Sequence, residues 1–298
     1  MPELPDVIVY LEALAPRVLS QPLERFRLGN PFIVRTIEPS PSAFEGRRVT
    51  ALRRMGKRLV FEFEADLFLV LHLMIAGRLR WRERGANIPG RVGLAALDFP
   101  DGTLILTEAG AKRQASIHLL RGSVGLAEFE RGGLEVLEST LPAFGERLTR
   151  ENHTLKRALT DPTIFSGIGN AYSDEILHAA RLSPMKQTRQ LTDAEVARLH
   201  AATISTLEAW IARTRDEVGE GFPEKVTAFR EGMAVHGRYG KPCPTCGAPV
   251  QRIVYASNEC NYCAACQTEG RLLSDRALSR LMRDDWPKTL EEMERRKR

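Results

Sequence analysis

The chain has no long apolar run. Of its 298 residues the most hydrophobic stretch, Leu67–Met74, is far short of the roughly 18 residues a membrane-spanning helix needs, and it contains His72. No basic segment followed by an apolar one stands at the start, so no secretory signal is expected and a cytoplasmic location is. No internal repeat and no long low-complexity tract occur. Cysteine is also absent from most of the chain: all five lie between Cys243 and Cys266. That excludes a disulfide framework spread through the fold and points to a local metal site. What remains is a composition of 43% hydrophobic and 27% charged residues with net charge +5, typical of a globular protein. This length suggests about two domains, each able to bury a core. A pI near 9.1 favours an anionic partner without naming one.

The pattern changes along the chain. Val7, Ile8, Leu11, Leu14 and Val18 recur at helical spacing, with Pro5 and Asp6 placed to start the helix. From Thr50 to Thr107 the signal is of strands: Leu59, Phe61 and Phe63 alternate, followed by Leu67–Met74, Val92–Phe99 and Thr103–Thr107, with Pro100-Asp101-Gly102 as a turn. Short strands with turns between them predict an antiparallel β-sandwich or barrel. Gly132-Gly133 marks a boundary, after which the chain turns helical. Thr192-Asp193-Ala194-Glu195 is a capping box ahead of Val196, Leu199, Leu207, Trp210 and Ile211.

Cys243-Pro-Thr-Cys246 and Cys263-Ala-Ala-Cys266 form C-x2-C-x16-C-x2-C, inside the spacing window of a four-thiolate zinc site. The residues between them suit a hairpin, with Gln251–Tyr255 as one strand, Ala256–Glu259 as the turn and Cys260–Cys263 as the other. Cys260 breaks the pairing and is expected to be a free thiol. One structural zinc ion is therefore predicted, and it does not by itself name a function.

Three further features bear on chemistry. Arg78, Arg80, Arg82 and Arg84 alternate with Leu79 and Trp81, and Arg47, Arg48, Arg53, Arg54, Lys57 and Arg58 form a second basic stretch. Either stripe can be a solvated sheet face; together with a zinc hairpin they suit a polyanion, most simply nucleic acid. Gly167-Ile168-Gly169-Asn170 reads as a tight turn between two helices, either an ordinary helical hairpin or a place where a phosphate sits on free N–H groups. Lastly, Pro2 followed by Glu3 puts a secondary amine beside a carboxylate if Met1 is removed. An α-amino group with a pKa near 7.7–8.0 is partly neutral at pH 7 and can attack an aldehyde-like carbon to form an iminium.

Together, Pro2-Glu3-Leu4-Pro5, Gly56-Lys57, Gly167-Ile168-Gly169-Asn170-Ala171-Tyr172 and the cysteine hairpin resemble, in order and over most of residues 2–268, the formamidopyrimidine-DNA glycosylase / endonuclease VIII family. The resemblance implies an α+β, multidomain fold: an N-terminal β-sandwich catalytic domain with flanking helices over 1–131, a helix–two-turn–helix DNA-binding domain over 132–228, a zinc hairpin over 229–270, and an extension over 271–298. It implies a bifunctional DNA glycosylase/AP lyase of base-excision repair, bacterial in type and nucleoid-associated, acting as a monomer on double-stranded DNA with a damaged base or abasic site. Pro2 would attack C1′, Glu3 would move protons, and Lys57 would contact phosphate and assist elimination. His72 and Asn170 would be further phosphate contacts. Cys243, Cys246, Cys263 and Cys266 would hold the zinc.

The departures from the family pattern are as informative. The residue that fills the gap left by a flipped base usually follows a His-Leu-x stretch, which makes it Ile75 here, with Met74 adjacent; a wedge and a core position are both open. The loop that normally adds an Arg and an aromatic reads Thr107-Glu108-Ala109-Gly110-Ala111-Lys112-Arg113 and has no aromatic. Asn258 stands where the zinc hairpin usually carries an arginine; it can hydrogen-bond phosphate but brings no charge. In the tail, Leu272, Leu273, Leu278, Leu281 and Met282 are expected to dock on the body, leaving the basic end solvated. Two rivals to the enzyme reading follow. One is a protein of the same fold that binds damaged or unusual DNA with little glycosylase activity, and the other a zinc-ribbon adaptor. The lesion itself is not specified by these residues.

Overall fold

Period-two alternation builds the first half of the chain, and the computed structural model, which describes residues 1–110, 112–224, 226, 229–255, 258–273 and 287–295, shows how. The side chains of residues 255, 258 and 294 lie outside that description. The chain divides into two units, Met1–Arg131 with Ala209–Ala228, and Gly132–Glu208 with Phe229–Arg298.

In the first unit, helix α1 (Leu4–Val18) is followed by strands β1 (Arg25–Leu28), β2 (Val49–Met55), β3 (Arg58–Phe63), β4 (Leu67–His72), β5 (Gly77–Arg82), β6 (Gly93–Phe99), β7 (Gly102–Glu108) and β8 (Ser116–Arg121). They form two four-stranded antiparallel sheets in the orders β2-β3-β4-β8 and β1-β6-β7-β5. Leu59, Phe61, Leu69 and Leu119 from one sheet and Leu79, Leu97, Leu104 and Leu106 from the other share a core with Val7, Tyr10 and Leu14 of α1. This is the expected sandwich with its helix.

The unbroken apolar run in β4 has a local cause. Leu69 and Leu71 face the sandwich core, while Phe68 and Val70 join Val60 and Leu126 in a small cluster on the outer face. A strand covered on both faces has no polar side to show in its sequence. The hairpin from β6 to β7 is tighter than expected: Phe99 pairs with Gly102, so only Pro100 and Asp101 form the loop. Gly102 opens β7 because a Cβ there would lie 2.5 Å from the Trp81 ring.

The second unit contains α2 (Leu141–Thr149), α3 (Leu155–Thr160), α4 (Asn170–Ala179), and α5 (Asp193–Val218) up to Glu208. The predicted capping box starts α5, with Thr192 N–H donating to Glu195 Oε2 at 2.9 Å. Phe144 and Phe165 stack at 4.6 Å in this core. The boundary glycine is sterically required: a Cβ on Gly133 would meet the Pro162 carbonyl oxygen at 2.4 Å. Strands β9 (Gln251–Tyr255) and β10 (Asn258–Tyr262) then form a hairpin, and α6 (Ala264–Thr268) follows. Tyr255 pairs with Asn258, so Asn258 and Glu259 belong to β10 rather than to the turn, and Cys263 caps α6 instead of ending a strand.

Of the tail, Leu272 and Leu273 pack with Leu290 against the Ile253, Cys260, Tyr262 and Ala264 cluster. The Leu273 N–H also donates to the Tyr262 hydroxyl at 2.7 Å. Leu278, Leu281, Met282 and the terminal residues 296–298 lie outside the described residues.

Candidate active site and metal centre

The candidate residues fall into two sets, one on each unit. In the first unit, Pro2 is buried directly before the N-terminus of α1. Glu3 is the N-cap, 2% exposed, and its backbone N–H donates to Asp6 Oδ2 at 2.8 Å in a reciprocal capping box. The helix therefore holds the Glu3 carboxyl against its own positive end. Met1 precedes Pro2, so the Pro2 nitrogen is an amide in this chain. The Met1 amino group titrates below its ordinary value because it is buried; Glu3 and Asp6 oppose that shift, while Arg78 and Lys57 add to it. Four groups, up to 77 positions away in the sequence, thus act on one chain end.

Lys57 is half-buried at the second position of the two-residue turn between β2 and β3. Gly56 precedes it with φ +61°, a conformation that favours glycine and lets the hairpin close in two residues. His72, paired across the sheet with Arg58, ends β4. Burial drives its pKa down to about 4, helped by the positive charges of Arg58 and Lys57. It is therefore a neutral imidazole at pH 7, able to donate one hydrogen bond but not to act as a cation. Three residues on, Ile75 is 64% exposed in the β4–β5 connection, next to Met74 at φ +50°. Ile75 is not a core residue.

Of the downstream loop, Thr107 and Glu108 are buried in β7, and the Glu108 carboxylate accepts the N–H groups of Gln114 and Ala115. Arg113 is exposed and donates to the Arg91 carbonyl at 2.6 Å. Ala111 lies outside the described residues.

The basic stripes are less cationic than their sequence. Arg82 pairs with Glu224, Arg84 with Glu24 at 2.8 Å, and Arg53 with Glu62. Arg58 lies 5.6 Å over the Phe129 ring. Arg84 is past the end of β5, so the predicted face of four guanidiniums has three members on the strand, Arg78, Arg80 and Arg82. Leu79 and Trp81 point inward as expected.

In the second unit, Gly169 is the N-cap of α4 and Asn170 its first residue. The Asn170 side chain donates to the Glu259 carbonyl at 2.9 Å, which links this turn to the hairpin. Behind it lies a network that the sequence reading did not find. Lys156, 4% exposed, donates to the Asn170 carbonyl at 2.7 Å, to Ser173 Oγ at 2.8 Å and to Asp174 Oδ1 at 2.5 Å. Asp174 Oδ2 also lies 2.7 Å from His236 Nδ1 and accepts the Asn261 N–H at 3.1 Å. Glu175 accepts the N–H groups of Ala234, Val235 and His236. One signal was legible: two adjacent acids between Tyr172 and Ile176, in a helix otherwise built to be buried. Paired and hydrogen-bonded on all sides, these charges fix the turn that carries Asn170.

The four cysteines converge. The sulfurs of Cys243, Cys246, Cys263 and Cys266 all lie within 4.8 Å of one another, with 3.4 Å between Cys246 and Cys263 and 3.9 Å between Cys243 and Cys266. A tetrahedral zinc–thiolate site with Zn–S near 2.3 Å has sulfurs about 3.8 Å apart, so the residues fit the ion. Burial would raise the Cys243 thiol, but N–H groups of Thr245 and Cys246 and the His178 ring pull it well below the usual thiol range. Cys260 is buried in β10 outside the cluster, its thiol pushed up by burial. The side chain of Asn258 is outside the described residues; its backbone pairs with Tyr255.

Residues 1–109 match the model of the formamidopyrimidine-DNA glycosylase N-terminal domain, and residues 134–220 that of the formamidopyrimidine-DNA glycosylase H2TH domain. The formamidopyrimidine-DNA glycosylase of Thermus thermophilus is 34% identical over 283 residues, 91% of this chain and 100% of that one. An uncharacterized formamidopyrimidine-DNA glycosylase-like protein of Mycobacterium tuberculosis is 38% identical over 151 residues, 51% of this chain and 94% of its own. Among solved structures, the Lactococcus lactis Fpg in complex with DNA containing an abasic site superposes with a TM-score of 0.79 at 26% identity, covering 89% of this chain and 99% of that one. Among the described residues, no helix is long and apolar enough to cross a membrane. Two domain models in sequence order, a full-length relative and the converged cysteines agree: this chain belongs to the formamidopyrimidine-DNA glycosylase family.

Proposed function

We propose that this protein is a bifunctional DNA glycosylase/AP lyase that excises a damaged base from duplex DNA through the Pro2 amine. The observation that carries the reading is the environment of the chain end. Burial depresses an amine there, with Glu3 and Asp6 as the nearby acids and Lys57 and Arg78 as the nearby cations. Once Met1 is removed, Pro2 would bring a secondary amine into those surroundings, and a neutral amine is the form that attacks.

The pair on Pro2 nitrogen forms the bond to C1′ while the glycosidic bond breaks, and the departing base takes a proton. Glu3 passes one proton to the departing base, takes up the proton that the Pro2 nitrogen gives up, and delivers it to the ring oxygen as the sugar opens, leaving a Pro2 iminium. Loss of a C2′ proton then expels the 3′ phosphate, and a second elimination expels the 5′ phosphate. Lys57 and neutral His72 would hold phosphate oxygens beside the reacting sugar, and exposed Ile75 would enter the stack when the nucleotide leaves it. Asn170 would bind phosphate at the start of α4. Asn258 would do so from the hairpin, with the zinc ion holding the hairpin's fold. One relative of known structure, the Lactococcus lactis Fpg, was solved with abasic-site DNA, with oxidised-pyrimidine DNA and, as a mutant, with Fapy-dG DNA, which supports a lesion-containing duplex as the substrate class.

Borohydride reduction during incubation with abasic-site duplex tests the scheme. A covalent protein–DNA adduct is expected from the processed protein, and it should disappear in Pro2→Gly. Strong binding without an adduct would leave a damaged-DNA binding protein in its place. Weak binding that ignores salt would instead favour the adaptor reading, because phosphate contacts release counterions.

A further inference from the structure

His178 is a charged-type residue in the last turn of α4, yet it is 8% exposed and takes no part in the chemistry above. Its Nε2 lies 3.2 Å from the sulfur of Cys243, itself 3% exposed. A zinc-bound thiolate carries no proton, so the hydrogen between them must come from the imidazole. Four thiolates on Zn2+ leave about two net negative charges, and N–H···S bonds are the means of spreading them in a dry site. Backbone N–H groups of Thr245 and Cys246 supply part of that compensation. A second tether lies nearby. Gln267 accepts the Cys263 N–H at 2.8 Å and donates to the Leu182 carbonyl at 2.9 Å. The first and third cysteines of the motif are thus each tied, through a single side chain, to residues 178–182.

We propose that His178 is a positioning residue of the metal centre, donating Nε2–H to the Cys243 thiolate and, with Gln267, fastening the zinc knuckle to the end of the helix that begins at Asn170. The proposal rests on zinc occupying the four-cysteine site. Ion retention and the geometry of α4 then depend on each other: the helix presents the donor, and the bound thiolate fixes the last turn of the helix.

The test uses the full chain loaded with one zinc per molecule. Release of zinc into excess chromophoric chelator should be about 10- to 100-fold faster in His178→Phe, which keeps a buried ring without the donor. His178→Gln, which restores an N–H, should return release close to the parent rate. In the cobalt-substituted proteins the sulfur-to-cobalt absorption should move in His178→Phe and return in His178→Gln, a signature that a merely space-filling histidine would not give. Unchanged release together with an unchanged absorption band in His178→Phe would overturn the proposal. Should that variant fail to fold, the cadmium-substituted parent protein decides: scalar coupling between the metal and the His178 Nε2 proton is expected, and its absence is fatal to the idea. A parent protein that cannot hold one metal ion per chain fails earlier, and removes the metal-site reading along with this one.

Discussion

The sandwich of the first unit and the cysteine knuckle of the second solve the same problem by different means. The sandwich buries side chains from eight strands and a helix in one apolar cluster, Val7 through Val226. The knuckle's cluster consists of Val235, Cys243, Val250 and Cys263, with Ala248 and Cys266 at its edge. Hydrophobic stabilisation scales with the apolar surface buried, about 25 cal/mol per Å2, and the first cluster is several times larger than the second. A small module of this kind needs a cross-link, and four converged sulfurs offer one through a metal. The difference teaches where each region is vulnerable: the sandwich to loss of volume, the knuckle to loss of an ion.

The largest effect should come from chelation. Structural zinc contributes on the order of 10–16 kcal/mol in small zinc modules, more than the knuckle's apolar contacts can replace. Limited proteolysis after chelator treatment should open sites within residues 234–273 while residues 1–110 stay protected, and DNA binding should weaken. Equal protection of both regions would show that the knuckle stands without metal. On the other side of the comparison, Phe61→Ala empties a fully buried position and should cost about 3–5 kcal/mol in urea denaturation of the first unit, with zinc content unchanged.

His72 sharpens the contrast on the sandwich side through pH. Its folded pKa of about 4 lies below the unfolded value of 6.5. Below about pH 6.5 the unfolded chain therefore binds a proton that the native state refuses. Stability should fall as pH drops from about 6.5 to about 4, by roughly 1.4 kcal/mol per unit at most, and His72→Gln should flatten that slope. An unchanged slope would place the acid sensitivity elsewhere.

Legibility followed the range of the physics. The α1 helix, the β3 alternation, the α5 capping box and the cysteine spacing were readable because each is set by neighbours a few residues away. The Asn258 register was not, since only cross-strand pairing with Tyr255 decides that Asn258 belongs to β10. Pairing of Arg82 with Glu224 and of Arg84 with Glu24 removed charge that the basic stripe advertised. Ile75, open between wedge and core in sequence, is exposed because the β4–β5 connection turns at Met74.

The sequence alone determined the family, the succession of helix, strands and helical region, and the grouping of four cysteines able to hold a metal ion, and it nominated Pro2 and Glu3 for the proposed chemistry, because local periodicity and motif spacing carry that information. Only the tertiary structure decided that Lys57, Arg78 and Asp6 act on the chain end, that His72 is neutral, and that Lys156, Asp174 and His236 share one buried network. Electrostatics and desolvation depend on distances between side chains far apart in sequence, and those distances exist only once the chain has folded.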